Sequence, residues 1–200
     1  CFELFPTSTY HHNSGGDPEA IPDLSYDQLM AFYKGHYHPS NAILLTFGNL
    51  PVSQHHDVFE RQALCRFERS DEHIEVTLEE AFNAPKRAAH YYALEDAETD
   101  NKTHLVMGWK LGESADLDAM LEAQLLSSVL MENSASPLMQ WLETNNLGLA
   151  PSPLCGLEDS MREMVLCCGI EGSNQSSIDD FEAQVLEVIR STAEEGVRLD

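Results

Sequence analysis

The fold is decided by residues 105–131, which read LVMGWKLGESADLDAMLEAQLLSSVLM. The first seven of these residues place an apolar side chain at every second position, which is the period of a strand with one buried face. After Ser114, which can cap a helix, a leucine or valine recurs at every fourth position from Leu117 to Val129, and this is the period of a helix face. The segment therefore predicts a strand followed directly by a long helix that ends near Met131.

Similar patterns surround this segment and predict a full set of secondary structure. The predicted elements, in order, are strands at 86–94 and about 105–111, helices from Ser114 to about Met131 and from Ser136 to near Gly148, strands at about 149–157 and 162–171 with a turn at Asp159 and Ser160, and a helix from Ser177 to Gly196. The residues expected to be buried in the last helix are Ile178, Phe181, Val185 and Ile189. This order predicts an α+β fold, a layered sandwich of helices on a mainly antiparallel sheet.

The part of the chain near its start predicts a smaller group of elements. Ser25 and Gln28 have the spacing of a capping box, which begins a helix whose apolar side chains should face inward. These side chains are Leu29, Met30, Phe32 and Tyr33. The apolar run 42–47, AILLTF, predicts a buried strand. The other predicted features are a second helix from Ser53 and a polar linker at 68–84 that ends at a domain boundary near Pro85.

Charge and composition exclude several classes of protein. The chain carries 34 acidic and 11 basic side chains and a formal net charge of −23, so it lacks the lysine and arginine that nucleic-acid phosphates require. Its hydrophobic content of 42% separates it from disordered chains. No apolar run approaches the roughly 18 residues of a membrane span, so a soluble protein with no membrane contact is predicted. Because the first residue is Cys1 rather than methionine, we expect a piece of a longer polypeptide.

The cysteine pattern is typical of a reducing compartment. The five cysteines are Cys1, Cys65, Cys155, Cys167 and Cys168. Their odd number and the absence of a C-x-x-C pair argue against a disulfide framework or a zinc finger. Cys167 and Cys168 are neighbours in a predicted strand, so their side chains should point to opposite faces. We predict small buried thiols rather than metal ligands.

No complete active site is visible in these patterns. The nine histidines form neither H-E-x-x-H nor H-x-x-E-H, which are the helical zinc motifs of peptidases. The run 14–17, SGGD, lacks the lysine of a phosphate-binding loop, and no serine lies in G-x-S-x-G. We therefore predict no catalytic residue and no metal ligand in this chain.

A long segment near the start resembles one known family. Residues 9–50, TYHHNSGGDPEAIPDLSYDQLMAFYKGHYHPSNAILLTFGNL, are similar to the corresponding part of the presequence-protease branch of the pitrilysin and insulinase zinc metallopeptidases. The matching elements are Thr9-Tyr10, Ser14-Gly15-Gly16-Asp17-Pro18, Ile21-Pro22-x-Leu24, Tyr37-His38-Pro39-Ser40-Asn41-Ala42 and Gly48-Asn49. The second half is similar more loosely, through Leu125-Leu126-Ser127-Ser128, Ser136-Pro137 and Leu147-Gly148.

The resemblance implies a large enzyme of four homologous α+β lobes that encloses unstructured peptides, presequences among them, and cleaves them with zinc. The zinc ligands of that family, the two histidines of H-x-x-E-H and a later glutamate, precede the segment matched by Ser14 to Pro18, so none is expected here. The implied divisions are 1–50 as the end of the catalytic lobe, 51–84 as a helix and linker, and 85–200 as the first half of a second, non-catalytic lobe. The alternative is a non-catalytic scaffold or processing-partner subunit of the same fold, which the zinc motif upstream would distinguish. The chain alone is expected to bind no zinc and to lack activity.

The resemblance also implies one candidate site and a set of partners. The candidate residues are Asn13, Ser14, Gly15, Gly16 and Asp17. They should hold a fixed turn near the catalytic cleft, either in contact with peptide or as a purely structural turn. The implied partners are basic unstructured peptides, attracted by the negative charge, and the remaining lobes of the parent protein. The isolated chain is expected to self-associate because half a lobe exposes sheet edges and apolar faces. The implied compartment is a bacterial cytoplasm or an organelle matrix.

Overall fold

The chain divides into two compact units in a computed structural model that describes residues 3–72, 74–95 and 98–197. The small unit is Thr7–Thr77, and the large unit is Cys1–Pro6 together with Leu78–Asp200. The division falls inside the stretch 51–84 predicted as a helix and linker. The assignment of its two sides to different lobes stays a prediction. Cys1 and His73, which the sequence patterns include, lie outside the described residues.

The large unit contains the sheet. Its elements are β1 Thr103–Glu113, α3 Leu117–Met131, α4 Pro137–Thr144, β2 Ala150–Pro151, β3 Gly156–Glu158, β4 Glu163–Ser173 and α5 Ile178–Glu195. The small unit contains α1 Tyr26–His36 and α2 Val52–Gln62. The predicted α+β class with an antiparallel sheet is confirmed, since every strand pairing described is antiparallel.

Strand β4 lies at the centre of the sheet. It pairs with β1 along one edge, where Val106 lies opposite Gly169 and Trp109 opposite Leu166. Along its other edge it pairs with the short strands β2 and β3. The single strand predicted at 149–157 is therefore two short strands, because the Cys155 amide bonds the Ser152 carbonyl at 3.1 Å and bends the chain between them.

Helices α3, α4 and α5 cover one face of this sheet. The core residues are Leu105, Leu130, Met131, Leu138, Leu142, Leu166, Cys168, Ile170, Phe181 and Val185. Phe181 and Val185 of α5 are buried and Ile189 packs against them, as the four-residue spacing predicts, whereas Ile178 remains 39% exposed. The core of the chain therefore lies between the sheet and the face that these helices turn toward it.

Helix ends agree with the local sequence signals at several positions. The capping box is confirmed, because the Gln28 amide donates to the Ser25 hydroxyl at 3.2 Å and the Ser25 amide donates to Gln28 Oε1 at 2.8 Å. Ser136 precedes α4 with Pro137 at its first position. Gly196 follows α5 with a φ of 77°, a conformation that glycine adopts without strain.

Two of the predicted caps are wrong. Asp116 caps α3, since its carboxylate accepts from the amides of Asp118 and Ala119. Ser114 is not free to do so because its hydroxyl donates to the Met161 carbonyl at 2.6 Å, across the sheet. Helix α2 begins after Pro51 rather than at Ser53.

Two of the predicted strands are absent from the described sheet. Residues 42–47 and 86–94 lie outside any helix or strand. Ile43 and Phe47, expected to be buried, are 96% and 102% exposed. An apolar run becomes a strand only when a neighbouring strand satisfies its amides and carbonyls, and neither run has such a neighbour among the described residues.

The predicted inward face of α1 is also wrong in this chain. Leu29, Phe32 and Tyr33 are 58%, 57% and 52% exposed. Their spacing along the helix is regular, but the small unit has no described sheet against which they can pack. The sequence pattern predicts which side chains share a face. This face stays exposed because the small unit has no described strand that could cover it.

Candidate functional site

The predicted loop Asn13–Asp17 forms a tight turn at the surface of the small unit. The Gly16 amide donates to the Asn13 carbonyl at 2.9 Å, and the Gly15 amide donates to Asn13 Oδ1 at 3.0 Å. Asp17 repeats the arrangement, because its Oδ1 accepts from the Glu19 amide at 2.9 Å. Asn and Asp side chains commonly stabilise turns in this way. All five residues are exposed, and a contact between this loop and a peptide stays a prediction.

The two glycines of this loop are not equivalent. Gly16 has a φ of +83°, and a Cβ added there would lie 3.0 Å from Ile21 Cδ1. A Cβ on Gly15 would meet Asn13 Oδ1 at 3.5 Å, which is an ordinary van der Waals distance. Only Gly16 therefore requires glycine for its backbone conformation.

We expect Gly16→Ala to destabilise the turn and Gly15→Ala to leave it nearly unchanged. A side chain at positive φ costs on the order of 1–3 kcal/mol. Hydrogen exchange of the Ala20 and Ile21 amides, which both bond the Asp17 carbonyl, should be faster in Gly16→Ala than in the wild type. Equal exchange in the two variants would contradict this assignment.

The described residues contain no group of three or more His, Cys, Asp or Glu side chains that could hold a metal ion. His11 and His12 contact each other edge to face, while the His36 ring stacks on Phe32 and bonds its carbonyl at 2.9 Å. His38 accepts the Ser40 amide at 3.1 Å. These contacts hold local structure, so the residues described do not fit the zinc site that the family resemblance implies for a whole enzyme.

A nearly buried ion pair lies on the sheet face opposite the helices. Lys110 of β1 and Glu163 of β4 have side chains 10% and 13% exposed, with Nζ and Oε1 3.8 Å apart. Glu163 also accepts the Glu79 amide at 2.7 Å, and Lys110 Nζ donates to the Glu80 carbonyl at 2.8 Å. The ammonium lies 5.0 Å from the centre of the Phe82 ring. These contacts hold segment 78–82 on the sheet, so the pair has a structural role.

Sequence reasoning missed this pair. Its signal is weak, because a lysine between Trp109 and Leu111 is the expected polar member of an alternating strand. The strand period places it on the face opposite the core, where segment 78–82 and the Phe5 ring, 5.8 Å from the Lys110 ammonium, cover it.

Comparison with known protein families identifies the chain. The model of the Peptidase M16 inactive domain matches residues 23–199. The chain belongs to this family. The family match confirms the resemblance to pitrilysin and insulinase peptidases, and the matched range begins inside the segment that carries that resemblance.

Similar proteins cover nearly the whole of this M16 inactive-domain chain. The presequence protease of Xenopus tropicalis, named as mitochondrial, is 32% identical over 200 residues, which are 99% of this chain and 20% of that protein. The corresponding protein of Danio rerio is 34% identical over 190 residues, 94% of this chain and 18% of the relative. Protein HypA of Clostridium perfringens is 24% identical over 195 residues, 97% of this chain and 20% of its own length. The chain thus spans about a fifth of these relatives.

Among the described residues of the M16 chain, no helix combines the length and apolar character that crossing a bilayer requires. Its described cysteines, Cys65, Cys155, Cys167 and Cys168, are all free thiols. The predicted alternation of the last two is confirmed. Cys168 is 0% exposed within the core, whereas Cys167 lies on the other face, against Gly108 of β1. Cys65 is exposed and so departs from the predicted burial, because it follows α2 at the surface of the small unit.

Burial changes the acidity of the core thiols. It raises the pKa of Cys168 from 9.0 to about 12. It also raises the pKa values of Cys155 and Cys167. A protonated thiol is neither a nucleophile nor a metal ligand at neutral pH. Cys167 and Cys168 therefore act as small apolar groups, while Cys155 Sγ also accepts a hydrogen bond from the Gly169 amide at 3.3 Å.

The raised pKa of Cys168 predicts a loss of stability at alkaline pH. The unfolded chain releases this proton near pH 9 while the folded chain retains it until about pH 12. The free energy of unfolding should therefore fall by about 1.4 kcal/mol per pH unit across that window. Urea denaturation at pH 8, 9 and 10 of the wild type and of Cys168→Ala measures the contribution. A variant with the same slope above pH 9 as the wild type would contradict it.

Proposed function

We propose that this chain is part of a zinc metalloendopeptidase that degrades presequences and other unstructured peptides, and that it is itself non-catalytic. The observation that carries the proposal is the match to an M16 inactive domain combined with 32% identity to a presequence protease over 99% of the chain. Zinc would be held by residues of the longer polypeptide, because the described residues supply no ligand set. The chain's contribution is then to the walls of the peptide-binding enclosure.

The proposed organisation joins parts of two lobes. Residues 1–50 form the end of the catalytic lobe, 51–84 a helix and linker, and 85–200 the first half of a second lobe. The separation of Thr7–Thr77 from the large unit, which comprises Cys1–Pro6 and Leu78–Asp200, supports two bodies. The loop Asn13–Asp17 is proposed as a turn bordering the cleft, which its exposure and the hydrogen bonds of the Asn13 and Asp17 side chains support.

The proposed substrates are basic. The net charge of −23 produces a long-range field that raises the local concentration of cationic peptides. Ionic strength screens such a field, with a Debye length of about 8 Å in physiological salt. Turnover of a basic peptide by the full-length protein should therefore fall as salt rises, while turnover of a neutral peptide should change little. The same decline for both peptides would remove charge steering from the proposal.

The function is tested with the full-length protein that carries this chain. Cleavage of a synthetic presequence, lost on chelation and restored by zinc, is expected. The 200-residue chain alone should neither cleave the peptide nor retain stoichiometric zinc. A full-length protein without zinc and without turnover would contradict the enzyme and favour a scaffold or processing-partner subunit.

The proposal extends to the compartment and to the behaviour of the isolated chain. Free thiols and relatives named as mitochondrial support a reducing setting such as an organelle matrix or a bacterial cytoplasm. The isolated chain is proposed to self-associate through its exposed side chains, among them Ile43, Leu45 and Phe47, at 96%, 88% and 102% exposure. Because each copy carries −23, association should increase with salt, and light scattering that shows a monomer in high salt would contradict it.

A further inference from the structure

Helix α3 presents an apolar stripe on its exposed side. The α3 stripe consists of Leu117, Leu121, Leu125 and Val129, which are 78%, 57%, 57% and 45% exposed. The opposite side of the helix already faces the core through its buried residues Ala123, Leu130 and Met131. A helix that is apolar on both sides is normally covered on both, and contiguous exposed apolar surface marks an interaction site. The α3 stripe is therefore a surface without a described partner.

Carboxylates lie on both sides of the stripe. Asp118 and Glu122 each follow a stripe leucine by one residue, which is about 100° around the helix. Gln124 precedes Leu125 and so lies on the other side, where its Nε2 donates to Asp159 Oδ2 at 3.2 Å. This contact places the Asp159 carboxylate beside α3. The stripe is an apolar strip with negative charge along each edge.

Nothing on the helix neutralises that charge. Helix α3 contains no lysine or arginine. The ion pairs of Lys86, Arg87, Lys110, Arg162 and Arg190 join these side chains to Glu3, Glu182, Glu163, Glu113 and Glu187, none of which belongs to α3. Asp118 and Glu122 also have the four-residue spacing at which like charges repel on a helix. A cation placed between these two carboxylates would relieve that repulsion.

We infer that the α3 stripe binds a cationic amphipathic peptide helix, whose apolar face covers the leucines while lysine or arginine side chains pair with Asp118, Glu122 and Asp159. The inference rests on the proposed function, because that function supplies peptides as the class of ligand. From Leu117 to Val129 the stripe is about 18 Å long, which matches a peptide helix of three to four turns. A second copy of the chain is a poor occupant, because two surfaces of the same charge repel.

The experiment measures peptide binding to the full-length protein after chelation of its metal, so that the peptide is not cleaved. The probe is a fluorescent peptide of about 14 residues with leucine and arginine at helical spacing, compared with a permuted peptide of the same composition. Leu121→Ser with Leu125→Ser should weaken binding of the helical peptide by about tenfold or more. Asp118→Asn with Glu122→Gln should weaken it several-fold and reduce its dependence on salt.

Matched controls come from α5, which has its own exposed leucine and terminal carboxylates. Leu186 is 44% exposed, so Leu186→Ser tests loss of an exposed leucine elsewhere on the large unit. Glu194→Gln with Glu195→Gln tests the loss of two charges. Both control variants should bind the peptide like the wild type.

Several outcomes would overturn the docking site. The first is a peptide affinity of the stripe variants equal to that of the wild type. The second is equal binding of the permuted and the helical peptide. The third is loss of peptide binding when dilution dissociates protein dimers into monomers. Failure of a maleimide to label Leu121→Cys in the intact protein would show that another segment of the polypeptide covers the stripe.

Cleavage of presequences together with unchanged affinity of the stripe variants would remove this inference and leave the proposed function intact. Stripe-dependent binding by a metal-loaded protein that cleaves no peptide would support the site and contradict the proposed function.

Discussion

Gly169→Ala is expected to destabilise the large unit by about 3 kcal/mol or more, because overpacking against backbone in a central strand cannot be relieved by rotating a side chain. A Cβ at this position would lie 2.5 Å from the Leu105 carbonyl oxygen of β1 and 3.2 Å from Ser152 Cβ. The backbone amide and carbonyl of Gly169 are both hydrogen-bonded. Its amide donates to Cys155 Sγ at 3.3 Å and its carbonyl accepts the Ser152 amide at 2.9 Å. The strands on both sides of β4 would have to move apart.

The measurement is urea denaturation followed by tryptophan fluorescence, since Trp109 and Trp141 both belong to the large unit. Gly35→Ala in α1 is the matched control, because a Cβ there meets no atom within 4 Å. Alanine is favoured over glycine inside a helix by up to about 1 kcal/mol. Because α1 belongs to the small unit, the control should leave the tryptophan transition of the large unit unchanged. A Gly169→Ala midpoint close to that of the wild type would show that the sheet accommodates the methyl group.

Leu142→Ala is expected to cost about 2–5 kcal/mol, the range for a leucine removed from a packed core. Leu142 of α4 is 1% exposed and belongs to the cluster that α4 and α5 form over the sheet. Its loss leaves a cavity in this core cluster. Neighbouring side chains are themselves anchored to other elements, so they can fill the space only in part.

Leu186→Ala provides the comparison, since Leu186 of α5 is 44% exposed and should lose less than about 1 kcal/mol. Thermal denaturation of both variants, followed by circular dichroism, distinguishes the two positions. Similar melting temperatures for Leu142→Ala and Leu186→Ala would contradict the packing assigned to α4.

The local features of the chain could be predicted because their causes lie within a few residues. The capping box of Ser25 and Gln28 depends on hydrogen bonds between neighbours. The start of α4 depends on the fixed φ of Pro137, and the end of α5 on the positive φ of Gly196. The alternation of Cys167 and Cys168 follows from strand geometry alone. The candidate loop was recognisable because its glycines and its Asn and Asp side chains form the turn themselves.

The errors occur where a distant partner decides the result. Residues 42–47 have a strand's composition, but a strand also needs a second strand to bond its backbone. Ser114 has a helix-capping side chain, yet the Met161 carbonyl, 47 residues away, takes its hydroxyl. The Lys110 and Glu163 pair is buried because residues 78–82 and the Phe5 ring cover the outer face of the sheet.

The amino-acid sequence by itself determined the α+β class, the periods of the helices and the long strands, and the family to which the chain belongs, because these depend on side-chain types at fixed spacing. It also determined the stripe from Leu117 to Val129 as one side of a helix. Only the tertiary structure decided that this side faces away from the core while Leu130 and Met131 face the sheet. The physical reason is that α3 carries apolar side chains on two opposite sides. The four-residue period identifies both sides but does not say which one is buried, and packing against β1 and α4 decided it.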